Sequence, residues 1–327
     1  MKRIVVTGAA GQIAYSFVFR AAHGDLFGSA EEIELYLCDL PGTESIMEGV
    51  AMELGDCAFP LLKDLKFGTD PFKMFEGVDL ALLIGAKPRG PGMERADLLK
   101  DNGKIFIEQG KALNESASHH VKVVVVGNPC NTNCLIAMHH APNVSRKNFH
   151  AMMRLDQNRA AFQLAQKAEV PVRDVSCMTI WGNHSSTQVP DYTNAKIQGR
   201  GVQEVIQDKQ WLQGEFIQTV QNRGAEIIKA RGKSSAASAA SALADSIKSL
   251  YTVIPQNTWF TSAVCTDDNP YGIEKNLIFG LPCRSEGNGD YTIVPGLTLD
   301  FSMKEKIAIT QKELIAERTC IEGLFHG

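Results

Sequence analysis

Ile4-Val5-Val6-Thr7-Gly8-Ala9-Ala10-Gly11-Gln12-Ile13-Ala14 stands at the start of the chain and decides its fold. Ile4 to Val6 read as a short strand, Gly8 and Gly11 as the turn that leaves it, and Gln12 to about Ala22 as a helix. The G-x-x-G-x-x-A spacing is looser than G-x-G-x-x-G, and an ordinary tight turn could carry it. Its context adds the meaning: a glycine turn between strand and helix aims unpaired amides at a pyrophosphate. Further on, Ile33 to Cys38 is a second apolar run ending at Asp39. Thr43 to Leu54 follows as a helix, with Ile46, Val50 and Leu54 on one face. Leu80 to Ile84 and Val121 to Val126 are almost wholly apolar and bounded by Gly85 and Gly127. Continuous apolar strands separated by helices indicate a parallel sheet covered on both faces, hence an α/β chain with a doubly wound sheet.

The pattern changes after about residue 150. Ser176 to Trp181, Asn194 to Ile197 and Arg200 to Val202 read as shorter strands, and Gln210 to Arg231 and Ser234 to Leu250 as helices. The small residues from Ser234 to Ala242 allow close helix approach. Trp259 to Cys265 and Leu277 to Leu281 read as a hairpin-like β region, and Met303 to Leu324 as a last helix. Two domains follow, 1–150 with the parallel sheet and 151–327 of α+β character, which suits a length of 327 residues.

Composition narrows the function. Apolar residues are 44% and charged residues 21%, as in a packed globular protein, and a net charge of −4 gives no sign of a nucleic-acid partner. The apolar runs are too short to cross a bilayer, and the basic start Met1-Lys2-Arg3 lacks the apolar length of a targeting signal. A cytoplasmic protein with no membrane partner is expected. The 8 cysteines are scattered, as reduced thiols would be. Cys130 and Cys134 with His139 and His140 match no common zinc spacing, and no metal is expected.

Three segments carry chemistry. Arg154-Leu155-Asp156-Gln157-Asn158-Arg159 places a carboxylate and an arginine three apart, on one face if helical. Trp181-Gly182-Asn183-His184-Ser185 brings an imidazole just after a strand. Lys87-Pro88-Arg89-Gly90-Pro91-Gly92-Met93-Glu94-Arg95 adds two guanidinium groups on a loop that glycine and proline make a candidate lid. Removing hydride from a carbinol carbon needs a base for the hydroxyl proton, and imidazole titrates near neutrality. A carboxylate can orient that ring, and a guanidinium can grip a carboxylate by two parallel hydrogen bonds. Such a set suits a small dianion with a hydroxyl to deprotonate. Taken singly, each residue could equally be a surface charge, a helix-start carboxylate or a satisfied histidine.

In order and spacing these segments resemble the malate dehydrogenases of the lactate/malate dehydrogenase superfamily, in the branch shared by cytosolic and many bacterial enzymes. The resemblance runs from Ile4 to at least Tyr271-Gly272, with further similarity to the end. It implies a Rossmann domain followed by a substrate-binding domain and NAD-dependent interconversion of (S)-malate and oxaloacetate. His184 would be the base paired to Asp156. Arg159 would grip the carboxylate beside the reacting carbon, Arg95 would polarise the carbonyl, Arg89 would meet the far carboxylate, and Asn128 would steady the substrate oxygen. NAD would be held by Gly8, Ala9, Ala10, Gly11, Gln12, Ile13 and Ala14, by Asn102 and Gln109, and by the strand end Val126-Gly127-Asn128. Asp39 would take the ribose diol and repel a ribose phosphate. Ala14 replaces the third glycine, and Gln157 a histidine, without expected consequence.

The family is usually homodimeric, and the stretch from Glu48 to Leu54 would contribute, although that face could equally be core. Two rivals remain. A lactate dehydrogenase would leave Arg89 unpaired against a methyl group. A silent NAD-binding scaffold would have no use for Asp156, Arg159 and His184 together.

Overall fold

The structure, a computed structural model, describes residues 1–87 and 95–325, and of 95–97 the backbone only. Arg89 therefore lies outside the described residues, as does the side chain of Arg95. In chain order the first half runs β1 (Lys2–Thr7), α1 (Gln12–His23), β2 (Ile33–Cys38), α2 (Glu44–Asp56), β3 (Leu62–Gly68), α3 (Pro71–Met74), β4 (Leu80–Leu83), α4 (Arg95–Ser116), β5 (Lys122–Val125), α5 (Cys130–His139) and β6 (Phe149–Ala151). These strands are parallel in the order β3-β2-β1-β4-β5-β6. The expected mixed α/β class and parallel sheet are borne out.

The unbroken apolar runs have a simple cause. Along β1, Ile4 and Val6 enter one apolar cluster while Val5 enters the other; Leu80 and Leu82 oppose Ala81 and Leu83 in the same way. Both faces of each strand are core, so no polar alternation survives. Strand order reverses between β1 and β4, and there the loops leaving the two strands touch. Gly8 has φ +66°, and a Cβ on it would lie 2.6 Å from Gly85 Cα. Two glycines are thus required where a crevice opens at the carboxyl ends of the strands.

The second half comprises α6 (Arg154–Lys167), β7 (Val175–Ser176), β8 (Thr179–Trp181), β9 (Val189–Asp191), β10 (Lys196–Ile197), β11 (Arg200–Gly201), α7 (Val202–Val205), α8 (Lys209–Gln213), α9 (Glu215–Arg231), α10 (Ala237–Leu250), β12 (Phe260–Cys265), β13 (Ile278–Arg284), β14 (Thr292–Ile293) and α11 (Phe301–Ile321). β12 and β13 pair antiparallel, as expected, and β12 also joins β6, so one sheet of 9 strands passes through both halves.

Several local expectations are corrected. The run from Ser176 to Trp181 is two strands of different sheets, because Cys177 takes φ +59° and turns the chain. The helix expected from Gln210 breaks at Gly214. Ser234, Ser235 and Ala236 precede α10 instead of forming its first turn. On α2 the buried face is Met47, Val50 and Leu54, whereas Ile46 is 52% exposed.

Asp191, with no exposure, ends β9 as a polar hub. Its carboxylate accepts 5 hydrogen bonds, from Trp181 Nε1, the Thr193 backbone and hydroxyl, and the Asn194 backbone and side-chain amide. Asp191→Ala would leave the buried Trp181 Nε1 without its acceptor and take one from the part-buried donors of Thr193 and Asn194. The expected loss is about 3 kcal/mol or more by denaturant midpoint; a loss below about 1 kcal/mol would show that water replaces the carboxylate.

Candidate active site

α6 begins directly after β6 and carries Asp156 in its first turn, where the helix dipole favours a negative charge. The loop after β8 swings through Gly182, at φ +96°, and delivers His184 to the same place. His184 Nδ1 and Asp156 Oδ2 are 2.5 Å apart. On the other carboxylate oxygen, Arg159 Nη1 donates at 3.1 Å and Gln188 Nε2 at 3.4 Å. Asp156 has no exposure at all, and the His184 side chain is 17% exposed.

A ring nitrogen beside a carboxylate carries the proton, so Nδ1 is the donor. His184 Nε2, the other ring nitrogen, has no hydrogen-bond partner among the described residues and holds the working lone pair. Burial is the strongest influence on both groups, lowering His184 and raising Asp156. Their mutual charge and hydrogen bond overturn it: the imidazole stands above its ordinary value near 6.5, and the carboxyl below its own near 3.8. The pair is thus arranged to accept a proton at Nε2 and to hold it with charge compensation. The Arg159 side chain is mostly buried, and its Nη2 donates to Ser235 Oγ at 3.2 Å. Further guanidinium hydrogens remain for a carboxylate.

A cleft of about 850 Å³ opens at the crevice between β1 and β4. Gly8, Gly11, Gln12, Ile13, Asp39 and Gln109 line it, and Ser234 to Ala236 close it from the second half. Three features fit a dinucleotide. Gly11 caps α1 without a side chain, and the first turn holds no acidic residue, so its amides are left for an anion. The buried Gln109 Oε1 has no partner among the described residues. Asp39 accepts from the backbone amides of Ala10 and Leu40, each at 2.8 Å, which ties the glycine turn to the end of β2 and leaves lone pairs over.

Other expected contacts are placed as follows. Ala9 and Ala14 are buried, packing the turn and α1 on the sheet. Gly127 is packed so that a Cβ would meet Ala86 Cβ at 2.8 Å. Val126 is buried and Asn128 exposed at the end of β5. Asn102 is wholly buried; its side chain clamps the Lys87 backbone at 2.7 and 3.2 Å and reaches the Asn128 carbonyl at 3.4 Å. It shapes the cleft wall. Gln157, by accepting from Thr261 N at 2.8 Å, ties α6 to β12. His139 and His140 bond Asn276 and the Leu324 carbonyl.

Reading the sequence missed Gln188, Ser235 and Asn131. Asn131 Oδ1 accepts from His184 N at 3.0 Å. Nothing local distinguishes these three, since each earns its place only by long-range contact.

Comparison with known proteins agrees along the whole chain. Residues 2–150 match the model of the lactate/malate dehydrogenase NAD-binding domain, and residues 153–324 that of the lactate/malate dehydrogenase alpha/beta C-terminal domain. A malate dehydrogenase of Protochlamydia amoebophila is 56% identical over 98% of either chain. A chloroplastic NADP malate dehydrogenase of Sorghum bicolor is 54% identical over 98% of this chain and 75% of that one. A Trichomonas vaginalis lactate dehydrogenase, solved with NADH and oxamate, superposes with a TM-score of 0.94 at 35% identity, covering 100% of this chain and 99% of that one. Similar in fold and in sequence over nearly all its length, the chain belongs to the lactate/malate dehydrogenase family.

Proposed function

We propose that the chain is an NAD-dependent oxidoreductase interconverting (S)-malate and oxaloacetate. The observation that carries the chemistry is the buried Asp156 bound at once to His184 and Arg159. NAD, when bound, supplies the acceptor for the hydride. In the direction of malate oxidation, His184 Nε2 takes the hydroxyl proton, and Asp156 stabilises the imidazolium. Arg159 binds the carboxylate next to the reacting carbon through its remaining N–H groups. The resemblance of their segments assigns Arg95 to the carbonyl, Arg89 to the far carboxylate and Asn128 to the substrate oxygen. Asp39 selects NAD by charge, a choice worth testing because the Sorghum relative is named for NADP.

We also infer a homodimer built on the outer face of α2. Ile46 and Met52 are 52% and 61% exposed there, and added Cβ atoms on Gly49 and Gly55 would touch nothing, leaving a low apolar surface for a second copy. Sedimentation should give a dimer that Met52→Arg dissociates; a monomeric unsubstituted chain would remove the proposal.

Protonation sets a sign. Oxaloacetate reduction needs the imidazolium, so its kcat/KM should hold at low pH and fall as pH rises through a midpoint above 6.5; malate oxidation should rise through the same region. Asp156→Asn removes the group that raises His184 while burial still lowers it. We expect the midpoint to move to lower pH and kcat to drop by about 10²–10⁴-fold; an unmoved midpoint would separate Asp156 from the proton transfer.

The lactate dehydrogenase reading keeps some support from the Trichomonas structure. NADH absorbance decides between them. Decay should be much faster with oxaloacetate than with pyruvate and with NADH than with NADPH, and Arg89→Gln should shift preference toward pyruvate. Equal use of both keto acids by the unsubstituted chain would refute the dicarboxylate assignment.

A further inference from the structure

The loop that carries His184 is held from two sides. From within, Asn131 on α5 accepts from His184 N at 3.0 Å and donates to the carbonyls of Gly182 and Ile278 at 3.3 and 2.9 Å. From without, α11 presents Thr310, Glu313 and Glu317, residues whose spacing puts them on one helix face. Gly182 passes so near this face that a Cβ would lie 2.2 Å from Thr310 Cγ2. Asn183, only 2% exposed, donates its backbone N–H to Thr310 Oγ1 at 2.9 Å. Its side-chain amide donates to both carboxylates, to Glu313 Oε2 at 3.1 Å and to Glu317 Oε1 at 2.8 Å. Ser185 and Thr187 add their hydroxyls to Glu313 at 2.5 and 2.6 Å. Glu317 is 4% exposed and also accepts from Thr132, next to Asn131 on α5.

We propose that Glu313 and Glu317 are positioning residues for the imidazole, acting through Asn183. The amide has two hydrogens, and each meets a carboxylate oxygen of a different glutamate, a fork that fixes the residue before His184 in place and direction. With Asn183 fixed, and Asn131 holding the next amide, the backbone from which the ring reaches Asp156 is held on both sides. α11 thus bears on the reacting centre through the loop that carries the imidazole. Among the described residues, the charged groups facing His184 are Asp156 and Arg159 of α6, with Glu313 and Glu317 behind the loop on α11.

The inference rests on the proposed activity, and the experiment separates the two. Asn183→Asp puts a third carboxylate against Glu313 and Glu317. In the full chain we expect kcat with oxaloacetate to fall about 100-fold. NADH affinity by fluorescence titration should stay near that of the unsubstituted chain, while the melting temperature falls because the new carboxylate has no compensating donor; kcat is therefore referred to the folded, NADH-binding fraction. The pH midpoint of reduction should move to lower pH, against the upward push of the new negative charge behind the loop, because the ring loses the closer charge of Asp156; mere loss of folded protein would not cause this. Adding Glu317→Gln restores a donor opposite the new carboxylate and should recover most of the lost rate. If Asn183→Asp does not fold, Glu317→Gln alone should lower kcat and move the midpoint the same way. An unaltered kcat and midpoint in the single variants, or a double variant as impaired as the product of the singles, would overturn the proposal. Absence of oxaloacetate-dependent NADH oxidation in the unsubstituted chain would instead overturn the activity.

Discussion

A carboxylate with no exposure to water is costly by several kcal/mol unless its charge is met on the spot, and Asp156 is such a group. Its partners come from two places: Arg159 from the next turn of α6, and His184 and Gln188 from the loop that joins β8 to β9. Burial and compensation are therefore one arrangement. Folding that buries Asp156 also delivers the imidazole, fixes its tautomer and leaves Nε2 as the ring nitrogen with work to do. The charge of the carboxylate in turn lifts the imidazole above its ordinary value, against burial and the Arg159 guanidinium, which lower it.

The frame around that pair is the sheet. Gly8 follows β1, Asp39 follows β2, Gly85 to Lys87 follow β4, Asn128 follows β5, and Asp156 comes shortly after β6. In a parallel sheet all of these lie on one edge, at the carboxyl ends, where the reversal of strand order separates the neighbouring loops. Cleft and imidazole share this edge because β6 leads straight into α6. β12 extends the sheet from the other side of β6, so the second half is hydrogen-bonded to the first. Ser234 to Ala236 then reach over the cleft, with Ser235 touching Arg159.

Much of this was legible in the chain. Ile33 to Cys38 is a strand with the bounds its apolar run suggested, and the glycine turn stands between β1 and α1 as read. Arg159 meets Asp156 because three residues on a helix is nearly one turn. Such features are local: they follow from periodicity, from the backbone freedom of glycine and from the sparing of polar residues in strands buried on both faces.

Other features were decided elsewhere. The apolar residues of α2 do not reveal that Met47 goes inward and Ile46 outward, since the choice depends on what the helix meets. The break at Cys177 carries no glycine or proline to announce it; pairing of β7 with β10 and of β8 with β9 imposes it. One histidine among 8 becomes special through residues as far off in sequence as Asn131 and Glu317. The sequence by itself determined the apolar strands of the parallel sheet, the glycine turn and the short-range pair on α6. The tertiary structure alone decided which ring meets that pair and what holds it there, because a hydrogen bond between distant residues exists only once packing has removed the water that would otherwise take its place.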